Sequence, residues 1–564
     1  MTIMIAGMNR ARSTHRPDRA RRGRRAAHGR RGSRGASGLS VLRVLSALLV
    51  LSILLAACAG GPEPREERPD LSRTAPDATA DPGAAADAST EDGPTAEAEA
   101  AREAERAETD WPSAPQVAML PDDAAPAPDE AAVDGALNAL LDPALMPSPP
   151  VSFVAHADAV QLEMRRQTVE TALAALSLEQ LVGQLFMPAF PVNERGRRLL
   201  EVDDRARTVL RRIQPGGVLL LGLNVANTEQ LTRFIADLQQ EASLPLLISI
   251  DQEGGAVSRL DAGGAVPATR IPSPHVVGAV ADRDLAEQLG EVIGRELRSL
   301  GIHINFAPVA DLRTNPANTV IGDRSLGGDP ETVGELVAAL VAGMQRERVA
   351  AVLKHFPGHG DTYTDSHYES AAVPHDLERL LAVELVPFRY GINAGAAGVM
   401  SGHIGVPQIT GDAVPATLSP HLVGDLLRRE LRFGALVFSD ALNMHALTRY
   451  FHRSELAVDA LEAGIDVLVH PERPLEAYEA VLRAVQDGRL DLQRLEQSVR
   501  RILELKYDLG LLHHAQATDT ADNPGTSNPG GVNTRDVTTI LGAPEHRAVA
   551  DEILRRYREL EHGR

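Results

Sequence analysis

The sequence predicts an α/β protein built on a single (β/α)8 barrel, the TIM-type fold, over residues 158–512. Eight short apolar runs alternate with amphipathic segments of helical length, such as TEQLTRFIADLQQEA at 228–242. Apolar strands separated by helices indicate parallel βα units, because the helices cover both faces of the sheet. Polar residues stand at the carboxyl ends of these runs, where barrel enzymes gather their active sites. A doubly wound open sheet is the alternative, but no Gly-rich phosphate loop opens the first unit.

The predicted strands and their polar ends follow one another in regular order. The eight runs are VGQLFMP (182–188), GGVLLLG (216–222), LPLLISID (244–251), INFAPVAD (304–311), AAVLKHFP (350–357), AGVMSGHI (397–404), GALVFSDA (434–441) and GIDVLVHP (464–471). The polar residues at or near their ends are Asp251, Asp311, Lys354, His355, His403, Asp440 and His470. Because the carboxyl ends of barrel strands share one face, we expect these side chains to surround one cleft.

Residues 1–57 are predicted to be a targeting segment and not part of the fold. An Arg-rich stretch precedes the apolar run VLSALLVLSILLAA, which has the length of a secretory signal and is short for a membrane span. The run ends at Cys58, the only cysteine of the chain, and therefore resembles a bacterial lipoprotein signal. An ordinary signal peptide or membrane anchor is the alternative, and paired arginines also allow twin-arginine export.

Two further segments flank the predicted barrel. Residues 58–157 are dominated by Ala, Pro, Asp, Glu, Gly and Thr and are expected to form a disordered linker, since they lack the apolar surface needed to fold. A helix is expected from Ala159, followed by a capping box from Ser177 to Gln180. Residues 513–564 are expected to form a linker and a C-terminal helix, either a remnant of a lost domain or a segment that docks on the barrel.

The charge of the chain excludes one class of partner. The formal net charge is −20, and the first 57 residues are strongly basic, so the remainder is still more acidic. An acidic surface repels phosphate, which argues against nucleic-acid binding. Only two lysines occur, Lys354 and Lys506, against 55 arginines. Since lysine is otherwise avoided, Lys354 is expected to have a chemical role.

The stretch KHFPGHGDTYTDSHYE at 354–369 concentrates histidines and carboxylates, and suggests either a metal site or acid/base machinery. His355 and His359 have the i, i+4 spacing that would place two zinc ligands on one face of a helix. Pro357 and the adjacent glycines argue against a helix there. We therefore expect no metal, and acid/base chemistry is the preferred hypothesis.

Taken together, several motifs resemble glycoside hydrolase family 3, specifically its β-N-acetylglucosaminidase branch. The motifs are IDQEGGAVSRL (250–260), NFAPVADL (305–312), GDRSLGGDP (322–330), KHFPGHGDTYTDSH (354–367) and FSDALNM (438–444). The resemblance covers about residues 170–510 and implies no cofactor. It also implies a retaining mechanism, in which a carboxylate attacks the anomeric carbon and a second group moves the proton.

Within the resemblance, Asp440 is the catalytic nucleophile, although Asp at this place could instead cap the following helix. His367 of the D-S-H loop is the acid/base group and Asp365 orients it, because a neighbouring carboxylate favours the charged imidazole. The implied substrate-binding residues are Asp251, Arg259, Arg324, Lys354 and His355, with Arg259 the weaker assignment. Each of these five could alternatively belong to a structural ion pair at the barrel rim.

The resulting hypothesis is a lipid-anchored, extracytoplasmic exo-β-N-acetylglucosaminidase acting on peptidoglycan- or chitin-derived oligosaccharides. Its expected partners are the oligosaccharide and a bacterial membrane, with the outer membrane favoured because Ala59, and not Asp, follows Cys58. One alternative is a β-glucosidase or β-xylosidase of the same family. Another is a catalytically silent glycan-binding lipoprotein, although both Asp440 and His367 are present.

Overall fold

The computed structural model describes residues 158–260, 264, 266–362, 371–453, 455–512 and 534–563. The predicted leader (1–57) and linker (58–157) lie outside the described residues, and so does Cys58. Asp365 and His367 also lie outside them, within 363–370. Among the described residues, no helix combines the length and the apolar character needed to cross a membrane.

Eight parallel strands form the predicted barrel, and each lies inside one of the eight apolar runs. They are β1 (Phe186–Met187), β2 (Gly217–Leu220), β3 (Leu247–Ile250), β4 (Ile304–Asn305), β5 (Ala350–Phe356), β6 (Gly398–Ser401), β7 (Leu436–Ser439) and β8 (Leu468–Val469). Strands β2 to β7 pair in sequence order, and β1 pairs with β8. Parallel bridges from Ala189 to Leu219 and from Phe438 to Val467 complete the ring. The fold class predicted from the sequence is thus confirmed.

Helices follow the strands and cover the outside of the barrel. They are α1 (Ala159–Ala174), α2 (Leu178–Gln184), α3 (Asp204–Ile213), α4 (Thr228–Glu241), α5 (Pro274–Val280), α6 (Arg283–Ser299), α7 (Pro330–Arg346), α8 (Val386–Asn393), α9 (Leu456–Ala463), α10 (Pro474–Gln486), α11 (Leu492–Asp508), α12 (Thr534–Ile540) and α13 (Pro544–Gly563). Two π-helices span Leu380–Glu384 and His421–Glu430. A short antiparallel hairpin after β3 pairs Gln252–Gly254 with Val257–Ser258.

Short polar side chains cap the start of several helices. Ser177 forms the expected capping box: its hydroxyl accepts the Gln180 N–H at 3.3 Å, and the Gln180 side chain accepts the Ser177 N–H at 3.0 Å. Asp203, Asn227 and Asp282 likewise accept a backbone N–H in the first turn of their helices. The run predicted as a strand from 182 begins inside α2, so β1 itself is only two residues long.

The barrel interior is closed by large apolar side chains. Phe306 after β4 and Phe438 on β7 are fully buried and meet edge to face with ring centroids 5.4 Å apart. All seven residues of β5 are buried, including Lys354 and His355 near its carboxyl end. The packed interior leaves the carboxyl ends of the strands as the place where polar groups gather.

A buried lysine lies away from those strand ends. Lys506 on α11 is completely buried, and its Nζ donates a hydrogen bond to Gln184 Oε1 at 2.7 Å. Burial lowers the pKa of Lys506 to about 7. Between about pH 7 and the ordinary lysine pKa, the unfolded chain therefore binds a proton that the folded chain does not.

We expect Lys506→Met to stabilise the fold, and to do so more at pH 6 than at pH 10. Below about pH 7 the folded wild type holds a buried ammonium, and this penalty fades as pH rises through the window above it. Urea unfolding of both proteins at the two pH values measures the difference. A Lys506→Met protein that is less stable than wild type at pH 6 would contradict this account.

Candidate active site

The carboxyl ends of β3 and β5 meet in a compact charge cluster. Lys354 Nζ lies 2.6 Å from Asp251 Oδ1 and 2.6 Å from Glu253 Oε1. Burial alone would lower the pKa of Lys354, but the carboxylates of Asp251 and Glu253 raise it above its usual value. Lys354 is therefore a fixed, buried cation near the carboxyl end of β5.

Arg324 enters the same cluster from the loop after β4. Its Nε and Nη2 each donate to Glu253, at 2.8 Å to Oε2 and 2.8 Å to Oε1. This two-pronged geometry holds the guanidinium plane in one orientation. Burial alone would raise the pKa of Glu253, but Lys354 and Arg324 hold it well below its usual range. Glu253 thus clamps both cations in place.

His355 is oriented by a second buried carboxylate. Asp311 Oδ2 lies 2.7 Å from His355 Nδ1, and the Asp311 carboxylate accepts backbone N–H groups from His355 at 3.1 Å and from His359 at 2.6 Å. Burial would raise the pKa of Asp311, but His355 and the other donors lower it. The proton of His355 is accordingly assigned to Nδ1, and Nε2 faces Arg324 Nη2 at 3.5 Å.

The turn after β5 depends on small residues. Gly358 has φ +126°, and a Cβ on Gly360 would lie 1.5 Å from the Leu312 carbonyl oxygen. The loops after β4 and β5 approach so closely here that only glycine fits, which explains the second glycine of KHFPGHG. Burial lowers the pKa of His359 to about 4, with His355 adding to the shift and Asp311 and Asp440 opposing it. His359 is therefore neutral at physiological pH.

Asp440 follows β7 directly and is held by the neighbouring strand. Its backbone N–H donates to Ser401 O at 3.0 Å, and its Oδ1 accepts the Ala441 N–H at 2.7 Å. Fully buried His403, after β6, places Nε2 3.0 Å from Ala441 O and Nδ1 2.9 Å from Thr417 Oγ1. The backbone on both sides of Asp440 is thus fixed, while the residue itself is only partly buried.

The structure brings four of the five predicted binding residues together. Asp251, Arg324, Lys354 and His355 form one contiguous network with Glu253 and Asp311. These contacts match the ion-pair alternative as well as the binding hypothesis, because a preorganised donor is itself held by partners. The roles of the four residues as sugar ligands stay predictions.

Arg259 is the exception among the predicted binders. Its Cδ would lie 3.7 Å from a Cβ on Gly222, so the side chain lies beside the loop after β2. Within the described part of the chain, its buried Nε has no hydrogen-bond partner. Its backbone N–H donates to Gln252 Oε1 at 2.8 Å. The assignment of Arg259, Asp365 and His367 therefore still rests on the sequence resemblance.

Sequence reasoning missed one residue of the network, Glu253 in the motif DQEGG. Asp311 was expected at the cleft as the polar end of the fourth apolar run, but its pairing with His355 was not. The available signal was electrostatic: a buried lysine and arginine require buried carboxylates nearby. Asp251 alone could not balance Lys354 and Arg324, so a second carboxylate from the same loop was to be expected.

The metal alternative concerns His355 and His359, which both lie among the described residues. Nowhere in that part of the chain do three His, Cys, Asp or Glu side chains converge as a metal-binding group. His355 lies in β5 and His359 lies in the following turn, so their spacing does not place them on one helical face.

Comparison with known proteins identifies the family. Residues 177–505 match the glycosyl hydrolase family 3 N-terminal domain. The chain belongs to glycosyl hydrolase family 3. The family 3 match covers all eight barrel strands and contains every residue of the network described above, and the protein is therefore a glycoside hydrolase.

Several known proteins are similar to this family 3 chain. A β-hexosaminidase of Nitrosomonas eutropha is 35% identical over 333 residues, covering 57% of this chain and 93% of the relative. The β-hexosaminidase LpqI of Mycobacterium tuberculosis is 39% identical over 319 residues, covering 53% and 78%. The structure of a family 3 β-N-acetylglucosaminidase from Paenibacillus sp. is 38% identical with a TM-score of 0.59, covering 68% of this chain and 69% of that one.

Proposed function

We propose that this family 3 enzyme is a retaining exo-β-N-acetylglucosaminidase. Its substrates would be peptidoglycan- or chitin-derived oligosaccharides with a terminal β-linked N-acetylglucosamine. The observation that carries the proposal is that one barrel holds both a carboxylate fixed at the end of β7, Asp440, and preorganised donors at Lys354, Arg324 and His355. The relatives named as β-hexosaminidases support the choice of sugar.

The donors suit a sugar because each one is fixed before the ligand arrives. An ammonium has three N–H donors, and Lys354 aims two of them at Asp251 and Glu253, so one remains for a ligand. Asp251 remains available to accept from ring hydroxyls. Groups held in this way lose little entropy on binding and orient the sugar ring against the nucleophile.

The proposed reaction has two steps: Asp440 first bonds to the anomeric carbon and is then released from it. In the first, an Asp440 carboxylate oxygen forms a bond to the anomeric carbon while the glycosidic C–O bond breaks and the leaving oxygen takes a proton. In the second, water gives up a proton and attacks the same carbon, which releases Asp440 and restores the original anomeric configuration. The resemblance assigns both proton transfers to His367, oriented by Asp365.

The test compares initial rates on p-nitrophenyl β-N-acetylglucosaminide and on the matching β-glucoside and β-xyloside. We expect the acetamido substrate to be turned over with much the higher kcat/KM, because its acetamido group adds contacts that the other two sugars lack. Faster turnover of the glucoside or xyloside would favour the alternative activity. No turnover of any of the three, with tight binding of chitobiose, would favour a silent glycan-binding protein.

We further propose that the mature protein carries lipid on Cys58 and is held at an extracytoplasmic membrane face. The support is the Arg-rich stretch, the following apolar run and the single cysteine directly after Leu55-Ala56-Ala57. Ala59 favours the outer membrane in a Gram-negative cell. Residues 58–157 would then act as a tether between the membrane and the catalytic barrel.

Cys58→Ala is expected to move the protein from the membrane fraction to the soluble fraction while leaving kcat/KM on an aryl glycoside unchanged. The reason is that removing the thiol removes the attachment point and leaves the barrel intact. Cell fractionation with activity measurement tests this, and mass spectrometry of the mature N-terminus gives an independent readout. Recovery of mature protein with an unmodified Cys58 would exclude lipidation.

A further inference from the structure

The C-terminal segment, residues 534–563, packs on the side of the barrel around one buried carboxyl group. Glu296 on α6 is 3% exposed, and its Oε1 accepts the Gly542 N–H at 2.8 Å and the Thr269 hydroxyl at 2.6 Å. Its Oε2 accepts the Thr269 N–H at 2.9 Å, and His546 Nδ1 lies 3.0 Å from Oε1. Glu296 therefore joins the loop after β3 to the C-terminal helices.

Apolar and ionic contacts hold the same segment along its length. Val537, Leu541 and Ile553 are buried in the main core. Arg556 Nη1 pairs with Asp282 Oδ2 at 2.6 Å, at the start of α6. These contacts show that α12 and α13 are integral parts of the folded unit, since buried apolar side chains cannot be exposed without cost.

The loop that Glu296 holds leads directly to the active site. Gly255 donates its N–H to Ile271 O at 3.1 Å. A Cβ on Gly254, which has φ +100°, would lie 2.4 Å from Pro272 O, and a Cβ on Gly255 would lie 2.6 Å from the Ser273 Cβ. The loop after Thr269 is thus packed tightly against the two glycines that immediately follow Glu253.

We propose that helices α12 and α13 position the sugar-binding end of the site, acting through Glu296, the loop at 267–273 and Glu253. Glu253 holds both Lys354 and Arg324, so a shift of its backbone would misalign the two cations. His546 and Arg556 are positioning residues in this scheme and do not touch the substrate. The inference rests on the proposed glycosidase function and extends it to a part of the chain beyond the family match at 177–505.

The expected signature is a change in substrate affinity. The path from the C-terminal helices ends at β3 and β5, whereas Asp440 follows β7, which is four strands from β3 around the ring. Disturbing the path should therefore raise KM and leave kcat nearly unchanged. A purely structural role would lower the melting temperature without this division between KM and kcat.

The test uses the full chain and p-nitrophenyl β-N-acetylglucosaminide. His546→Ala is expected to raise KM roughly three- to tenfold, with kcat close to that of wild type. His546→Asn, whose amide can donate from nearly the same place as Nδ1, should restore KM. Arg556→Ala should give a smaller increase in KM, because this ion pair is partly exposed.

A matched control lies on the same helix. Arg555 pairs with Glu552 and Glu559 of α13 itself. Arg555→Ala therefore removes an arginine side chain, as Arg556→Ala does, without breaking an ion pair to the barrel. Its KM should equal that of wild type. A double variant, His546→Ala with Glu253→Gln, should raise KM by less than the product of the two single effects, because both act on one path.

The outcomes separate this inference from the proposed function. An active wild type whose KM is unchanged by His546→Ala and Arg556→Ala, or whose double variant shows fully multiplicative effects, would overturn the inference alone. A wild type that turns over no aryl glycoside would overturn the proposed function. Folding of each variant is verified by its melting temperature, and His546→Asn and Arg556→Ala keep the test valid if His546→Ala does not fold.

Discussion

Asp440→Ala should reduce turnover of every glycoside by about 10⁴-fold or more, as is typical when a covalent nucleophile is removed. The Asp440 carboxylate forms the bond to the anomeric carbon. The next residue in the sequence, Ala441, has no carboxylate that could replace it. The substitution should leave the fold intact, because the contacts that fix this backbone come from Ser401 O and from His403 to Ala441 O.

Covalent labelling provides the direct measurement. The fluorine of a 2- or 5-fluoro sugar slows both formation and hydrolysis of the glycosyl-enzyme, and a good leaving group makes hydrolysis the slower step. The fluoro sugar should therefore accumulate as a covalent label on Asp440, which peptide mass spectrometry locates. Asp487→Ala, in an exposed position at the end of α10, serves as the control and should retain wild-type turnover. NMR of the first-formed product should show retained configuration; an inverted product would rule out the covalent mechanism.

His367→Ala should slow poor leaving groups far more than good ones. In the first step the acid must protonate the departing oxygen, a demand that vanishes when the leaving group is already stable as an anion, such as dinitrophenolate. The loss on an oligosaccharide is expected to be on the order of the ~10²–10⁴ typical of general acid/base catalysis. Rates on chitobiose and on 2,4-dinitrophenyl β-N-acetylglucosaminide measure the contrast.

The second step supplies an independent readout for His367. Without a base to deprotonate water, breakdown of the glycosyl-enzyme should limit turnover, and azide, which needs no base, should restore it by forming a β-glycosyl azide. Asp365→Asn should be a milder version, since the ring remains but loses its orienting charge. If good and poor leaving groups slow equally and azide has no effect, the acid must be sought among Asp361, Asp365 and Glu369.

The barrel was predictable because its signals are local. Each strand lies in an apolar run, and the six runs from the third onward have a polar residue at or near their end. This pattern survives even where the strand is as short as β4 (Ile304–Asn305). Strand lengths were not predictable in the same way, because hydrogen-bonded pairing depends on the neighbouring strand. The run from 182 shows the limit: Val182 and Gln184 are buried, yet they belong to a helix.

The site was predictable to the extent that it follows from strand ends. Asp251, Lys354, His355 and Asp440 all stand at such ends, so their proximity required only the fold. The clamp by Glu253 was not visible, because it depends on a bidentate geometry to Arg324 from a loop 71 residues further along the chain. The docking of His546 on Glu296, 250 residues apart, was likewise beyond any local pattern.

Because both lysines are buried, cleavage of the chain at lysine reports the opening of the barrel. Lys354 lies on β5 and Lys506 on α11, each almost completely inaccessible, and the chain contains no other lysine. A lysine-specific protease needs an extended and accessible segment, and the closed barrel offers it no such segment at either lysine. Cleavage must therefore wait until β5 or α11 leaves the core, so its rate tracks the population or the rate of that opening. Digestion of the unlabelled protein, followed on a gel, would time the unfolding of the barrel while its arginine-rich surface stays uncut.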